Sequence, residues 1–245
     1  MNPKLYGELA DWWPLMSPVA DYAEEAQQFA HLLAATCQPT RVLELGSGGG
    51  NNAYYLKQDF SLTLVDRSPD MLEVSRRVNP ECEHHRGDMR SVRLGQQYDA
   101  VFIHDALAYL ITPRDLAETL ETASLHCRAG GVVLLAPDFF AETFHPATSC
   151  GGNDADGRSL RYLEWVFDPD PLDTTYICDF AFLLREVNKT TRVIHDQHVL
   201  GLFAREQWQA AAHDAGLDPE VVRARHSHPE PGESELLLCR RKGTR

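Results

Sequence analysis

The sequence predicts an α/β protein with a doubly wound, mostly parallel seven-stranded sheet and an inserted antiparallel β excursion. Between residues 20 and 140, short apolar segments alternate with amphipathic helical segments, which is typical of a parallel sheet covered by helices on both faces. After Pro137 the helical segments stop, and three long strand-like segments follow one another with only turns between them. The first pattern then resumes near residue 204.

We therefore expect three units along the chain. Residues 1–36 form an N-terminal arm and helix that act as a lid. Residues 37–140 and 204–245 form the α/β core, and residues 141–203 form the inserted sheet, on the substrate side or at a dimer contact. The arm is rich in aromatic residues and contains prolines that interrupt any long helix. Two interpretations of it stay open: a packed arm, or a cover over a ligand.

The elements of the core follow from hydrophobic periodicity and from helix start signals. Ser68-Pro69-Asp70 combines an N-cap, a proline at the first helical position and an acid in the first turn. Thr112 and Asp115 make a capping box, and Gly130-Gly131 is expected to end that helix. The predicted helices are 21–35, 51–58, 69–78, 113 to the glycine pair, and 205–215. The predicted strands are 41–45, 61–66, 83–86, 98–104, 132–136, 220–225 and 235–240.

The inserted segment is expected to contain three antiparallel strands, at residues 159–167, 174–187 and 191–200. Turns rich in proline, aspartate and asparagine separate them. Residues 145–157 are expected to form a loop, because proline, serine, asparagine and glycine are frequent there.

Composition and charge restrict the partners. With 23 basic and 36 acidic residues the formal net charge is −13, which excludes nucleic acid and anionic membrane as the main partner. The chain has no apolar run long enough for a membrane span and no signal-peptide pattern at its start. Its six cysteines form no C-x-x-C pair, so we expect a reducing cytoplasm and no metal site.

The candidate ligand site lies where parallel strands end. Gly46, Gly48 and Gly50 form a G-x-G-x-G turn directly after the first strand, and glycines let backbone amides approach a ligand closely. Asp66, Asp88 and His104 follow the next strands, whose carboxyl ends meet at one crevice. An adenosine-containing cofactor suits this set. Asp66 would accept hydrogen bonds from ribose hydroxyls, and Asp88 would bind the adenine amino group or act only as a loop cap.

Four blocks of the chain, 44–50, 64–72, 87–89 and 98–101, resemble the class I (Rossmann-like) S-adenosylmethionine-dependent methyltransferases in order and spacing. A dinucleotide-binding oxidoreductase would have its third glycine one position later, where this chain has Asn51. The resemblance implies S-adenosyl-L-methionine as cofactor. The cofactor-binding residues that it implies are Tyr22, Glu44, Gly46, Ser47, Gly48, Asp66, Arg67, Met71, Asp88, Met89 and His104.

The inserted sheet resembles that of bacterial small-molecule methyltransferases, including the sugar N,N-dimethyltransferases, in Glu164-Trp165, Asp168–Pro171, 183–186 and 195–203. In such relatives the added sheet shapes the substrate side and helps the chain to dimerise, so a homodimer is expected. The catalytic candidates are His104 and His145; the substrate candidates are Tyr6, Trp12, His195 and His198. His195 and His198 are three residues apart on a strand and are expected on opposite faces.

The expected function is methyl transfer from S-adenosylmethionine to an amine or hydroxyl of a small-molecule acceptor. The reaction is an in-line displacement that needs alignment and at most one base. Two alternatives are a non-catalytic S-adenosylmethionine-binding protein and an NAD-linked oxidoreductase.

Overall fold

The larger sheet carries the predicted parallel architecture. The structure is a computed structural model, and it describes residues 3–226 and 232–243. Seven strands lie in the order β11-β12-β5-β4-β1-β2-β3; β1 to β5 pair in parallel, and β12 is antiparallel to both of its neighbours. These strands are β1 Arg41–Leu45, β2 Ser61–Asp66, β3 Glu83–Arg86, β4 Tyr98–Ile103, β5 Cys127–Leu135, β11 Leu217–His226 and β12 Gly232–Arg241. The seven-stranded α/β sheet predicted from the sequence is confirmed.

Helices cover both faces of this sheet, and their starts follow the predicted caps. The Ser68 hydroxyl accepts a hydrogen bond from the Met71 amide, and Thr112 and Asp115 form a reciprocal capping box. The helices are α1 Trp13–Met16, α2 Ala23–Cys37, α3 Asn51–Leu56, α4 Pro69–Val78, α5 Pro113–His126 and α6 Arg205–Asp214. None of the helices within the described residues is long and apolar enough to cross a membrane.

One predicted boundary is wrong. The helix α5 ends at His126, and β5 begins at Cys127, whereas the glycine pair at 130 and 131 was expected to end the helix. The register of β5 against β4 shifts here, from Tyr98 opposite Cys127 to Ala100 opposite Val132. A Cβ at Gly131 would lie 2.6 Å from the Asp99 carbonyl oxygen. The glycine therefore allows a close passage of two strands rather than a helix end.

The inserted segment forms a second sheet, in the order β10-β9-β8-β6, with β7 paired to β8. Its strands are β6 Ala147–Gly151, β7 Asp154–Ala155, β8 Arg158–Phe167, β9 Thr175–Glu186 and β10 Arg192–Gly201. The three long strands are confirmed, but the loop expected at 145–157 is wrong, because β6 and β7 lie there. Almost all side chains of β6 and β7 are exposed, so no alternating apolar pattern marks them; backbone pairing with β8 makes them strands.

The N-terminal arm connects the two sheets. Apolar side chains of the arm, among them Leu5, Leu9 and Leu15, pack in one cluster with the inner face of the second sheet. The Leu5 amide donates to the Asp196 carboxylate, and the Ser68 hydroxyl donates to the carbonyl of Tyr6. This arrangement holds the arm across the carboxyl ends of the parallel strands.

Candidate functional site

A cavity of about 310 Å³ lies beneath the arm, at the carboxyl ends of β1, β2 and β4. That volume falls within the range of small-molecule sites. Its polar lining residues come from three of the four blocks that the sequence singled out (44–50, 64–72 and 87–89), from the segment after β4 and from the N-terminal part of the chain. They include Tyr6, Tyr22, Glu44, Ser47, Asp66, Arg67, Asp88, His104, Asp105 and Tyr109.

The glycine turn is fixed by backbone geometry. Gly46 and Gly48 have φ of 72° and 51°, in the left-handed region that favours glycine. A Cβ on Gly46 would overlap the Cβ of Ala106, so no side chain fits at this position. The amides of Gly46 and Ser47 both donate to the Val65 carbonyl oxygen, which ties the turn to the end of β2.

Asp66 holds the same turn from the neighbouring strand. Its two carboxylate oxygens accept from the amides of Gly48 and Ser68, each at 2.8 Å. Burial raises its pKa, and these two amides act against that shift. A carboxylate has about four acceptor positions, so Asp66 retains acceptor capacity toward the cavity that it lines.

Three buried polar atoms of the cavity wall have no hydrogen-bond partner within the described structure: Glu44 Oε2, Ser47 Oγ and Asn52 Oδ1. Burial raises the pKa of Glu44 to about 8. Because unpaired buried polar groups are costly, these atoms indicate a polar ligand that completes their hydrogen bonds. The glycine turn, Asp66 and these acceptors together fit a ligand with ribose and amino-acid parts.

Asp88 accepts hydrogen bonds from a neighbour on its own loop. The Arg90 guanidinium donates to both oxygens of Asp88, at 3.0 and 2.7 Å, and to Asp115 at 2.6 Å. This bidentate contact lowers the pKa of Asp88. Arg90 thereby fixes the rim of the cavity where Met89 also lies.

His104 lies at the centre of a cluster of carboxyl groups. Its Nδ1 is 2.9 Å from Asp105 Oδ1, and its Nε2 is 3.5 Å from Glu25 Oε2. Burial alone would lower the pKa of His104, but the charges of Asp105 and Glu25 outweigh it and raise the pKa to about 10. The imidazole is therefore protonated at neutral pH and cannot accept a further proton.

Asp105 and Asp138 are hydrogen-bonded to each other and have opposite pKa shifts. Burial opposes ionisation of both; contact with His104 nevertheless lowers the pKa of Asp105, while burial and the Asp105 charge raise that of Asp138 to about 8. Both residues are partly exposed to solvent although many protein atoms surround them, and Asp105 lines the cavity. The cluster thus holds an ionised Asp105 beside a neutral Asp138.

Known proteins match this chain over most of its length. Residues 42–131 match a methyltransferase domain model. A dTDP-3-amino-3,4,6-trideoxy-alpha-D-glucopyranose N,N-dimethyltransferase of Streptomyces venezuelae is 30% identical over 82% of this chain and 86% of its own. A dTDP-3-amino-3,6-dideoxy-alpha-D-glucopyranose N,N-dimethyltransferase of Streptomyces fradiae is 28% identical over 88% and 86%.

The fold agrees with these matches. The crystal structure of Streptomyces venezuelae DesVI superposes with a TM-score of 0.83 at 26% identity, covering 96% of this chain and 98% of that one. The chain belongs to the S-adenosylmethionine-dependent methyltransferases. It is an enzyme of the class I type that acts on a small molecule, with S-adenosyl-L-methionine as cofactor.

The methyltransferase cavity does not include every residue that the sequence proposed. His145 is exposed and does not line the cavity. Trp12 is buried against Arg158, and its neighbour Trp13 lines the cavity instead. His195 is largely exposed on the outer face of the second sheet, where it contacts Asp179. Met71 is fully buried beneath the glycine turn.

The remaining candidates lie at the cavity or one contact away from it. Tyr22 and Arg67 line it, and the Tyr22 hydroxyl contacts the Ser17 hydroxyl at 2.7 Å. His198 is buried behind Tyr6 and Tyr109, two residues that line the cavity. Sequence reasoning missed several polar residues in or directly behind the cavity wall; only Asp105, directly after the His104 strand end, had a positional signal. The missed residues are Glu25, Asp105, Tyr109, Asp138 and Asp196.

Proposed function

We propose that this methyltransferase acts on the amino group of a deoxyamino sugar carried by a nucleotide. Two related N,N-dimethyltransferases, matched over more than four fifths of this chain, are named for dTDP-linked 3-amino sugars. The observation on this chain that carries the proposal is the carboxyl cluster around His104. An acceptor amine is a cation in its resting form, and ionised carboxylates beside the cavity favour its approach, whereas a hydroxyl acceptor gains nothing from them.

The cluster holds three carboxyl groups, those of Glu25, Asp105 and Asp138, against one imidazolium. His104 contributes one positive charge, while Asp105 is ionised and Glu25 contacts the imidazole from the other side. Asp138 adds a further carboxyl group that ionises as pH rises through about 8. The surplus of acid attracts an ammonium group, and His104 holds the carboxylates in place as a fixed counter-ion.

Toward the cofactor, the chain supplies binding and orientation. When bound, S-adenosylmethionine supplies an electrophilic methyl group on a sulfonium. Glu44 and Ser47 would bind the amino-acid part, Asp66 would bind the ribose hydroxyls, and Met89 would pack on the adenine. Alignment of the acceptor nitrogen then accounts for most of the expected acceleration.

The test is a matched pair of acceptors. Purified enzyme with S-adenosylmethionine is incubated with dTDP-3-amino-3,4,6-trideoxy-glucose or with its 3-hydroxy analogue. S-adenosylhomocysteine release and product mass are then measured. We expect monomethylated and then dimethylated amine, and no methylation of the analogue. Methylation of the hydroxyl compound at an equal rate, or of neither compound, would contradict the proposal.

We further propose that two copies associate through the outer face of the second sheet. Five large apolar side chains are exposed on this face, by 43–71% of their area: Leu163, Trp165, Leu183, Val193 and Val199. Exposed apolar surface of this kind is typical of protein interfaces. Sedimentation velocity should give a dimer for the wild type and a monomer for Val193→Asp. A monomeric wild type at assay concentration would refute the proposal.

A further inference from the structure

Four polar side chains form a continuous hydrogen-bonded path from the cavity into the second sheet. The hydroxyls of Tyr6 and Tyr109 are 3.0 Å apart, and the Tyr109 hydroxyl is 2.8 Å from His198 Nδ1. His198 Nε2 is 3.0 Å from Asp196 Oδ2. Both tyrosines line the cavity, whereas His198 and Asp196 are only 2% and 5% exposed.

Asp196 determines which nitrogen of His198 carries a proton. Its Oδ2 also accepts from the Leu5 amide at 2.9 Å. Burial opposes ionisation of Asp196, but the contacts with His198 and Leu5 prevail and lower its pKa. An ionised carboxylate only accepts hydrogen bonds, so Nε2 is the donor. Nδ1 then accepts from Tyr109 when the Tyr109 hydroxyl hydrogen turns from Tyr6 Oη toward the ring.

The surroundings of the path are aromatic. The His198 ring lies 5.1 Å from the Phe180 ring and 5.9 Å from the rings of both tyrosines. The groups that face the imidazole are Asp196, the two tyrosines and Phe180. Cys178 lies opposite His198 on β9, and its thiol donates to Glu164 at 3.4 Å. Each tyrosine hydroxyl both donates and accepts, so every hydrogen of the path can reverse its direction together with its neighbours.

We propose that Tyr6, Tyr109 and His198 form a proton relay that deprotonates the acceptor ammonium before methyl transfer, with Asp196 as the positioning residue. The inference rests on the proposed amine acceptor. The N–H bond breaks and its electron pair stays on nitrogen as the nucleophile. The proton passes to Tyr6 Oη, the Tyr6 proton passes to Tyr109 Oη, and the Tyr109 proton passes to Nδ1 of His198.

The relay ends in an imidazolium paired with the Asp196 carboxylate, and no tyrosinate accumulates. This agrees with the buried hydroxyls, because burial raises the pKa of both tyrosines above the ordinary value. After the product leaves, the proton returns along the same path to solvent in the open cavity. His104 cannot serve in this role, since its carboxyl neighbours keep it protonated.

Tyr109→Phe and His198→Gln test the relay. The first keeps the ring and removes the hydroxyl; the second keeps two hydrogen-bonding atoms and removes the base. With dTDP-3-amino-3,4,6-trideoxy-glucose as probe, we expect kcat/KM to fall by about 100-fold below the pKa of the amine. The loss should shrink toward parity above that pKa, where the amine is already neutral. Binding of S-adenosylhomocysteine should be unchanged.

Lys4→Ala is the matched control. It tests whether weakening the contact between the arm and the second sheet is enough to reduce activity. Lys4 Nζ donates to the carbonyl of His195, so this change weakens the same contact between arm and sheet without touching the relay. We expect wild-type kinetics at every pH. A loss in Tyr109→Phe that is equal at all pH values, or the absence of any loss, would overturn the proposal.

Nitrogen NMR of the His198 ring in the protein alone gives a readout independent of turnover. The relay requires an unprotonated Nδ1 and a protonated Nε2. Protonation of both nitrogens at neutral pH, or the reverse tautomer, would rule it out. If the wild type methylated neither sugar of the matched pair, the proposed function would fail, while the NMR result would still decide whether the relay has its proton acceptor.

Discussion

The two halves of the cavity are built in different ways. The cofactor half is made of neighbouring residues held by backbone bonds: the amides of Gly46 and Ser47 bind Val65, and that of Gly48 binds Asp66. The acceptor half, where we propose that the acceptor binds, consists of side chains from segments far apart in the chain, some in the cavity wall and some one contact behind it. These are Tyr6 of the arm, Glu25 of α2, Asp105 after β4, Asp138 after β5 and His198 of β10.

This difference indicates which half of the cavity can vary in sequence and which cannot. The backbone of the glycine turn excludes other residues by sterics, so the methyl-donor site tolerates little variation. The acceptor half depends on charge and hydrogen bonding at individual side chains, each replaceable without altering the turn. Acceptor choice can therefore diverge while the cofactor stays the same.

Gly46→Ala should break the cofactor half and gives the largest expected effect. A left-handed alanine costs about 1–2 kcal/mol, and the overlap with Ala106 adds about 1–3 kcal/mol. We expect loss of S-adenosylhomocysteine binding by calorimetry and a lower midpoint of urea unfolding. Gly95→Ala is the control, because Gly95 has φ 69° and nothing within 4 Å of its Cβ position. Equal effects of the two changes would refute the steric argument.

Asp105→Asn should affect only the acceptor half. The contact of its carboxylate with His104 is charge-assisted, worth about 1.5–3 kcal/mol, so kcat/KM for the amino sugar should fall roughly tenfold to a hundredfold. Binding of S-adenosylhomocysteine should stay within experimental error. Asp179→Asn is the control, because Asp179 contacts His195 at the same 2.9 Å on the exposed outer face. A similar loss in that control would contradict a local role.

Glu44→Gln should flatten the pH dependence of stability. Glu44 has a pKa of about 8 in the folded protein against 4.5 ordinarily, so the folded state binds the extra proton. The free energy of unfolding therefore falls as pH rises from about 4.5 to 8. One pKa unit corresponds to about 1.4 kcal/mol, and the difference between wild type and variant should be at least that. Urea unfolding of the ligand-free protein at both ends of the window measures it.

The exposed carboxylate Glu81 provides the contrast for this measurement. Its backbone and Lys57 contacts lower its pKa instead of raising it. Glu81→Gln should therefore leave the fall in stability intact. A wild type that gains stability over the same window would show that another group dominates.

His145→Ala should have the smallest effect. His145 is exposed and does not line the cavity, although the sequence proposed it as a catalytic residue. We expect kcat and KM for the amino sugar to stay within twofold of the wild type, as usual for surface substitutions. A large fall in kcat with unchanged stability would show that His145 takes part in catalysis.

The sequence by itself determined the parallel core and the cofactor turn. Helix caps such as Ser68-Pro69 and the glycines of the turn depend only on the local backbone conformation, so a stretch of a few residues is enough to predict them. The parallel order of the strands then brought Gly46, Asp66 and His104 to one edge, as expected.

Only the tertiary structure decided the contacts among the residues of the proposed acceptor half. Tyr6 and Tyr109 are 103 residues apart and Tyr109 and His198 are 89 apart, and their contacts exist because the arm packs between two sheets. Likewise, Trp12 and Trp13 are adjacent in the arm, but Trp12 is buried whereas Trp13 lines the cavity. Local periodicity carries no information on such contacts, because packing between distant elements sets the position, burial and charge of each side chain.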